Sequence, residues 1–157
     1  MKKLLKITGI ILAVILVAVA GMVAYMAFVL PGNIPVEDIQ VEITPERVER
    51  GRYLANQRMG CVGCHAQRDF TRYAGPIIEE SKGAGGEFWN REMNFPGEMY
   101  APNITPSVLN DWSDGEIFRA ITAGIDKDGN ALFPIMPYHL YGRLPREDIY
   151  DVIAYIR

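Results

Sequence analysis

The chain has 157 residues, with 16 lysines and arginines against 19 aspartates and glutamates and a formal net charge of −3. That length allows one modest domain plus a further segment, and the acidic balance argues against nucleic-acid binding. The apolar fraction of 49% is inflated by the first thirty residues and does not signal an unusually apolar core.

Lys2, Lys3 and Lys6 precede an uncharged apolar run of 24 residues from Ile7 to Leu30. As a helix it would be about 36 Å long at ~1.5 Å per residue. A bilayer core is about 30 Å thick, so a single transmembrane helix is expected. The lysines predict a cytoplasmic N-terminus and put the rest of the chain on the outer, periplasmic side of a bacterial cytoplasmic membrane. Ala18-Val19-Ala20 has the small-x-small form of a signal-peptide cleavage site. Apolar residues continue unbroken beyond it to Leu30, which favours a retained anchor. Three of the sixteen bases and none of the nineteen acids lie in this segment, leaving thirteen against nineteen and a formal charge of −6 for the remainder.

Pro31-Gly32-Asn33 is expected to stop the helix, and Pro35 to keep the next stretch extended. Ile39, Val41 and Ile43 alternate with Gln40 and Glu42, the two-residue period of a short strand. Such a strand could lie on a partner or on the domain itself. Residues 31–44 thus read as an extended tether between an anchor at 1–30 and a domain at 45–157. Thr44 suits an N-cap, Pro45 the first helical position and Glu46 the positive helix end, so a helix should start there. Gly51 costs that helix stability relative to alanine; its expected use is close approach of another helix.

Cys61-Val62-Gly63-Cys64-His65 comes next. C-x-x-C-H is the pattern of covalent haem c attachment. Two thiols add across the two vinyl groups, a two-residue spacer lets one turn of backbone bridge the porphyrin edge, and the adjacent histidine reaches the iron from the same side. A structural zinc site usually needs four ligands. Cys61, Cys64, His65 and His139 are all that the sequence offers, and the adjacency of Cys64 and His65 makes closure on one ion awkward. A thioredoxin-like motif would sit beside a βαβ pattern, which is not seen here, and a structural disulfide gives no reason for His65. One motif implies one haem, bound by Cys61, Cys64 and His65.

Gly83 to Gly86 and Phe95-Pro96-Gly97 are loop signals, and residues 75–100 receive no role. Ser113-Asp114-Gly115-Glu116 is a capping box. It opens a helix with Ile117, Phe118, Ala120 and Ile121 as apolar positions and Gly124 as its stop. Asp126-Lys127-Asp128-Gly129-Asn130 superficially suggests a calcium loop, but Ala131 and Pro137 stand where glycine and glutamate are required, so a turn is expected. A last helix should start near Pro145, with Ile149, Val152, Ile153 and Ile156 on one face and Tyr155 beside it.

The iron's sixth position calls for methionine or histidine, and Met59, Met93, Met99, Met136 and His139 are the candidates. Met136 is the expected ligand. It lies in Phe133-Pro134-Ile135-Met136-Pro137, where two prolines hold the loop extended and remove backbone donors. Met59 is too near the thioether side, and Met93 and Met99 should pack over the haem. His139 is the competitor, with exposure as its plainer role. Trp112, Phe118, Tyr138 and Tyr141 are expected wall residues, and Trp112 and Arg119 candidate donors to a propionate.

With these residues placed, residues 45–157 resemble class I c-type cytochromes. The order is a helix with Gly51 and Tyr53, the haem motif, a middle helix, a methionine loop and a C-terminal helix with Tyr155. Ala101-Pro102-Asn103-Ile104-Thr105-Pro106, Trp112 to Glu116, and Met136-Pro137-Tyr138 with Tyr141 are similar to the cytochrome subunits of membrane-bound alcohol and gluconate dehydrogenases. The resemblance implies an all-α class I cytochrome c fold around one covalent haem, with His65 and Met136 as axial ligands. It implies close crossing of the first and last helices at Gly51 and Tyr155. It also implies an electron-transfer protein rather than an enzyme, a one-electron carrier exchanging with redox partner proteins of a membrane respiratory complex. Two variants stay open. One is an integral haem subunit of a respiratory or dehydrogenase complex; the other is a haem enzyme or gas sensor with a labile sixth ligand.

Overall fold

The computed structural model describes residues 2–29 and 34–157; the expected helix stop at Pro31-Gly32-Asn33 lies outside them. Helix α1 spans Lys2–Phe28, and none of its residues is buried. Its most apolar 18-residue stretch has a mean hydropathy of 2.8, and the helix is long and apolar enough to cross a membrane. A helix that is apolar on every side has no single stripe to lay on a soluble core.

The remaining structure is organised by two helices that cross, α2 (Pro45–Tyr53) and α7 (Arg146–Ile156). Thr44 caps α2 as expected, its hydroxyl accepting the Arg47 N–H at 3.3 Å, with Pro45 in the first turn. At the crossing, a Cβ added to Gly51 would fall inside the Asp151 carbonyl and 2.9 Å from the Tyr155 Cβ. Glycine is therefore what lets the two backbones touch. The contact is clamped by ion pairs: Arg47 with Asp151 (2.8 Å) and Glu147 (2.6 Å), and Arg50 with Asp148 (2.5 Å) and Asp151 (3.1 Å). Ile149, Val152 and Ile153 of α7 are almost wholly buried, each worth about 1.5–3 kcal/mol of apolar burial.

Helix α5 (Asp114–Ala123) closes the core. Both halves of its capping box form: Ser113 Oγ accepts the Glu116 N–H at 3.2 Å, and Glu116 accepts the Ser113 N–H at 2.7 Å. Gly124 ends it at φ +69°, with the Tyr138 ring packed where a side chain would stand. Short helices α3 (Cys61–Cys64), α4 (Pro106–Leu109) and α6 (Tyr138–Tyr141) link the main ones. The chain is mostly helical, with one addition to the all-α expectation. Within residues 75–100, β1 (Phe88–Trp89) pairs antiparallel with β2 (Met99–Tyr100), Phe88 opposite Tyr100 and Trp89 opposite Met99. The Asp126–Asn130 segment is a turn, Asp126 accepting the backbone N–H groups of Asp128 and Asn130.

The described part of the tether lies on the domain itself. It is extended, without a ladder partner, and Ile39 and Val41 pack against the core. Arg119 donates to the Ile34 carbonyl (3.2 Å), Arg146 forks onto Glu37 (2.7 and 3.2 Å), and the Val41 N–H donates to Asp114 (2.8 Å). Gly115 allows the Glu37 carbonyl to pass against α5. Asp114 also accepts two bonds from Arg157 (2.7 and 2.9 Å), so it joins the tether to the end of α7.

Candidate haem site

Past Tyr53 the helix widens into a π-helical turn, Leu54–Arg58, and the Met59 N–H reaches Leu54 O at 2.8 Å. A turn of this kind inserts one residue and re-aims the chain that follows. Gly60 then takes φ +71°, a left-handed conformation open to glycine at little cost. The chain reverses into α3, and the His65 N–H closes on Cys61 O at 2.8 Å. This single turn places Cys61, Cys64 and His65 together on the wall of one cavity of about 370 Å³, within the usual size range of small-molecule sites.

The rest of the wall is largely apolar and comes from several parts of the chain, among them the segment from Ile104 to Trp112. Helix α5 contributes Ile117 and Ile121, and α7 contributes Val152 and Ile156. The ribbon supplies Trp89 and Met99, and the proline loop supplies Phe133, Ile135 and Met136, with Tyr141 beyond it. Tyr141 is fixed by donating its hydroxyl hydrogen to Met59 O at 2.6 Å.

His65 Nδ1 lies 2.7 Å from the Pro102 carbonyl. A carbonyl can only accept, so Nδ1 carries the proton and Nε2 keeps its lone pair free. Burial holds the imidazole below its ordinary pKa, opposed by that bond to Pro102; the neutral ring is the metal-binding form. Burial also pushes the Cys61 thiol up to about 11, and raises that of Cys64 with help from the Glu87 charge. The two cysteines are not bonded to each other. A nitrogen donor, thioether sulfurs, two thiols one turn apart and apolar walls fit a covalently attached haem.

No family model matches the chain. Curated relatives do. Over 113 residues, 69% of this chain, it is 34% identical to the cytochrome c subunit of alcohol dehydrogenase (quinone) of Gluconacetobacter polyoxogenes, covering 21% of that protein. It is 34% identical over 113 residues to the gluconate 2-dehydrogenase cytochrome c subunit of Pantoea cypripedii, covering 69% of this chain and 22% of that protein. With the fructose dehydrogenase cytochrome subunit of Gluconobacter japonicus the identity is 33% over 126 residues, 78% of this chain and 23% of the other. This chain is related to the class I c-type cytochromes. The cytochrome spans about a fifth of the length of these relatives.

The structure sorts the other site expectations. Of the candidates for the sixth ligand, Met136 and Met99 line the cavity. Met59 is partly buried and packs against the core, Met93 is 51% exposed, and His139 is exposed with its ring edge-on to Tyr138. Trp112 and Tyr141 are wall residues as expected. Phe118 and Tyr138 are not. Phe118 is one position round from Ile117 on α5, so it faces Tyr150 and the Arg146 guanidinium instead, while Tyr138 fills the space over Gly124. Arg119 is not placed for a propionate either; it is buried and spent on the carbonyls of Ile34, Asp126 and Lys127. Sequence reasoning missed Trp89, Tyr100 and Phe133. The signal for Trp89 and Tyr100 was the aromatic density of residues 88–100, and rings at Trp89, Phe95 and Phe133 follow one another at 6.4 and 6.3 Å, tying the ribbon to the proline loop.

Proposed function

We propose that this cytochrome is a membrane-anchored one-electron carrier holding a single haem c, with Cys61 and Cys64 as its thioether links and His65 and Met136 as its axial ligands. The observation that supports this best is the convergence of those four side chains on one apolar cavity. The haem supplies a reversible one-electron couple; the chain supplies attachment, orientation and dryness. The Pro102 carbonyl fixes the His65 ring and makes Nε2 the better donor. Met99 stands three residues before Pro102, whose carbonyl holds His65, whereas Met136 comes from a separate loop that also lines the cavity. An independent loop supports Met136 as the second axial ligand. A soft thioether there raises the potential relative to a second imidazole.

In this reading α1 spans the membrane with Lys2, Lys3 and Lys6 on the cytoplasmic side, and the domain at 45–157 works at the outer face. The relatives are named as subunits of dehydrogenases, which favours a second reading, a resident haem subunit of a dehydrogenase or respiratory complex. Purification of the full chain in detergent tests both. A pyridine haemochrome assay should give one haem c per chain, and redox-titrated spectra one reversible transition. The ferric protein should show a red-region sulfur-to-iron charge-transfer band that Met136→Ala abolishes. Survival of the band would refute Met136, and absence of a haemochrome the whole reading. Stoichiometric co-purification of a dehydrogenase would decide for the subunit role.

A further inference from the structure

Arg68 sits three residues beyond His65, and its guanidinium turns back onto the haem motif. It donates to the Gly63 carbonyl, inside the motif, at 3.2 Å and to the Gly75 carbonyl at 3.1 Å. Its Nε faces Glu87 Oε2 at 3.4 Å. Glu87 is tied to the motif as well, its N–H donating to Cys64 O at 3.3 Å. Both side chains are partly shielded, 30% and 21% exposed. The base that carries Arg68 is fixed: Ile78 N–H donates to Gln67 O and Asp69 N–H to Pro76 O, each at 2.9 Å, around an antiparallel bridge between Arg68 and Ile77. A planar fork can hold two carbonyls and a carboxylate at once; an ammonium is a point charge without that geometry. The Gly63 carbonyl is thus held by the Arg68 guanidinium and the Cys64 carbonyl by the Glu87 backbone N–H, with the opposed charges of the Arg68–Glu87 pair beside the motif.

Building on the haem c reading, we propose that Arg68 is a positioning residue of the haem motif. It holds the Cys61–Cys64 turn in shape for attachment, and with Glu87 it sets the local charge on the Cys64 side. A positive charge there disfavours the more positive ferric state and a negative charge favours it. Arg68 therefore raises the reduction potential of the bound haem and Glu87 lowers it.

The test uses the full-length, haem-loaded chain in detergent, with Arg68→Gln, Arg68→Lys and Glu87→Gln compared by potentiometric titration and haemochrome yield. Arg68→Gln should lower the potential and Glu87→Gln should raise it. Each shift should be on the order of a tenfold change in electron-exchange equilibrium, or ~59 mV for a one-electron couple. Arg68→Lys should keep the potential and lose covalent haem per chain. A merely structural role would move yield and stability but not produce shifts of opposite sign. If Arg68→Gln does not accumulate, Glu87→Gln and Arg68→Lys carry the test. Unchanged potentials, shifts of the same sign, or full haem loading in Arg68→Lys would overturn the proposal. Absence of a haemochrome in the unmodified chain would instead sink the haem reading itself.

Discussion

Gly51→Ala is the sharpest test of the fold, because two opposing effects can be weighed. In an isolated helix alanine should stabilise α2 by about 1 kcal/mol relative to glycine. In this chain the added methyl lands inside the Asp151 carbonyl and against the Tyr155 Cβ. Neither obstacle can swing aside: one is backbone and the other is the root of a side chain. Helix α7 must therefore retreat. Overpacking of this kind costs about 1–3 kcal/mol. Retreat also loosens Ile149, Val152 and Ile153, which are almost fully buried in the contact. The ion pairs to Glu147 and Asp148 are open to solvent and add little, about 0–1 kcal/mol each, while those to the buried Asp151 sit at the contact itself. Packing thus outweighs propensity, and a net loss of about 2 kcal/mol is expected. For a domain of about 110 residues that lowers Tm by roughly 6–10 °C. Thermal unfolding of the detergent-solubilised, haem-loaded protein, followed by circular dichroism, measures it. A Gly51→Ala protein as stable as the parent, or more so, would show that the helices do not meet backbone to backbone.

Two further outcomes follow from contacts elsewhere. Ser113→Ala removes the hydroxyl that accepts the Glu116 N–H and should cost about 1 kcal/mol, read as a parallel fall in Tm; no change would mean that the cap is not formed. Arg146 holds the Glu37 carboxyl below its ordinary value of 4.5, so this pair's contribution is complete above that value and is lost as pH falls through the lowered one. Hydrogen exchange of tether amides around Glu37 should therefore stay slow through the ordinary carboxylate range and quicken only at lower pH, while Glu37→Gln should show the fast behaviour already at neutral pH. Equal protection in parent and variant would rule out the pair as a clamp.

What was legible in the sequence was what local stereochemistry decides. The Thr44 cap, the Ser113–Glu116 box, the Gly124 stop and the apolar face of α7 each follow from a few neighbouring residues, and each is found. Gly51 was legible for a different reason: a glycine inside a helix loses stability unless something needs the space. The C-x-x-C-H motif was legible because its spacing is that of one backbone turn, and Cys61, Cys64 and His65 do meet on one cavity wall. The rest depends on residues far apart in the chain. Strands of two residues, β1 and β2, have no period to detect, so Trp89 and Tyr100 as wall residues stayed hidden. The outward turn of Phe118 depends on which side of α5 meets α7 and Arg146. Arg119 looked free to meet an anion until the tether carbonyl at Ile34 and the turn carbonyls at Asp126 and Lys127 were placed around it.

The seating of the tether changes the length of the leash. Counted from residues 31–44, a free linker would reach ~46 Å at ~3.3 Å per residue. Arg119 and Arg146 fasten the chain at Ile34 and Glu37, so the pivot sits on the flank of α5 instead of at Thr44. From Val29 to Ile34 the chain can span no more than about 18 Å. In the membrane-anchored reading proposed above, a cytochrome moored that short does not commute; its redox neighbours have to be berthed alongside it.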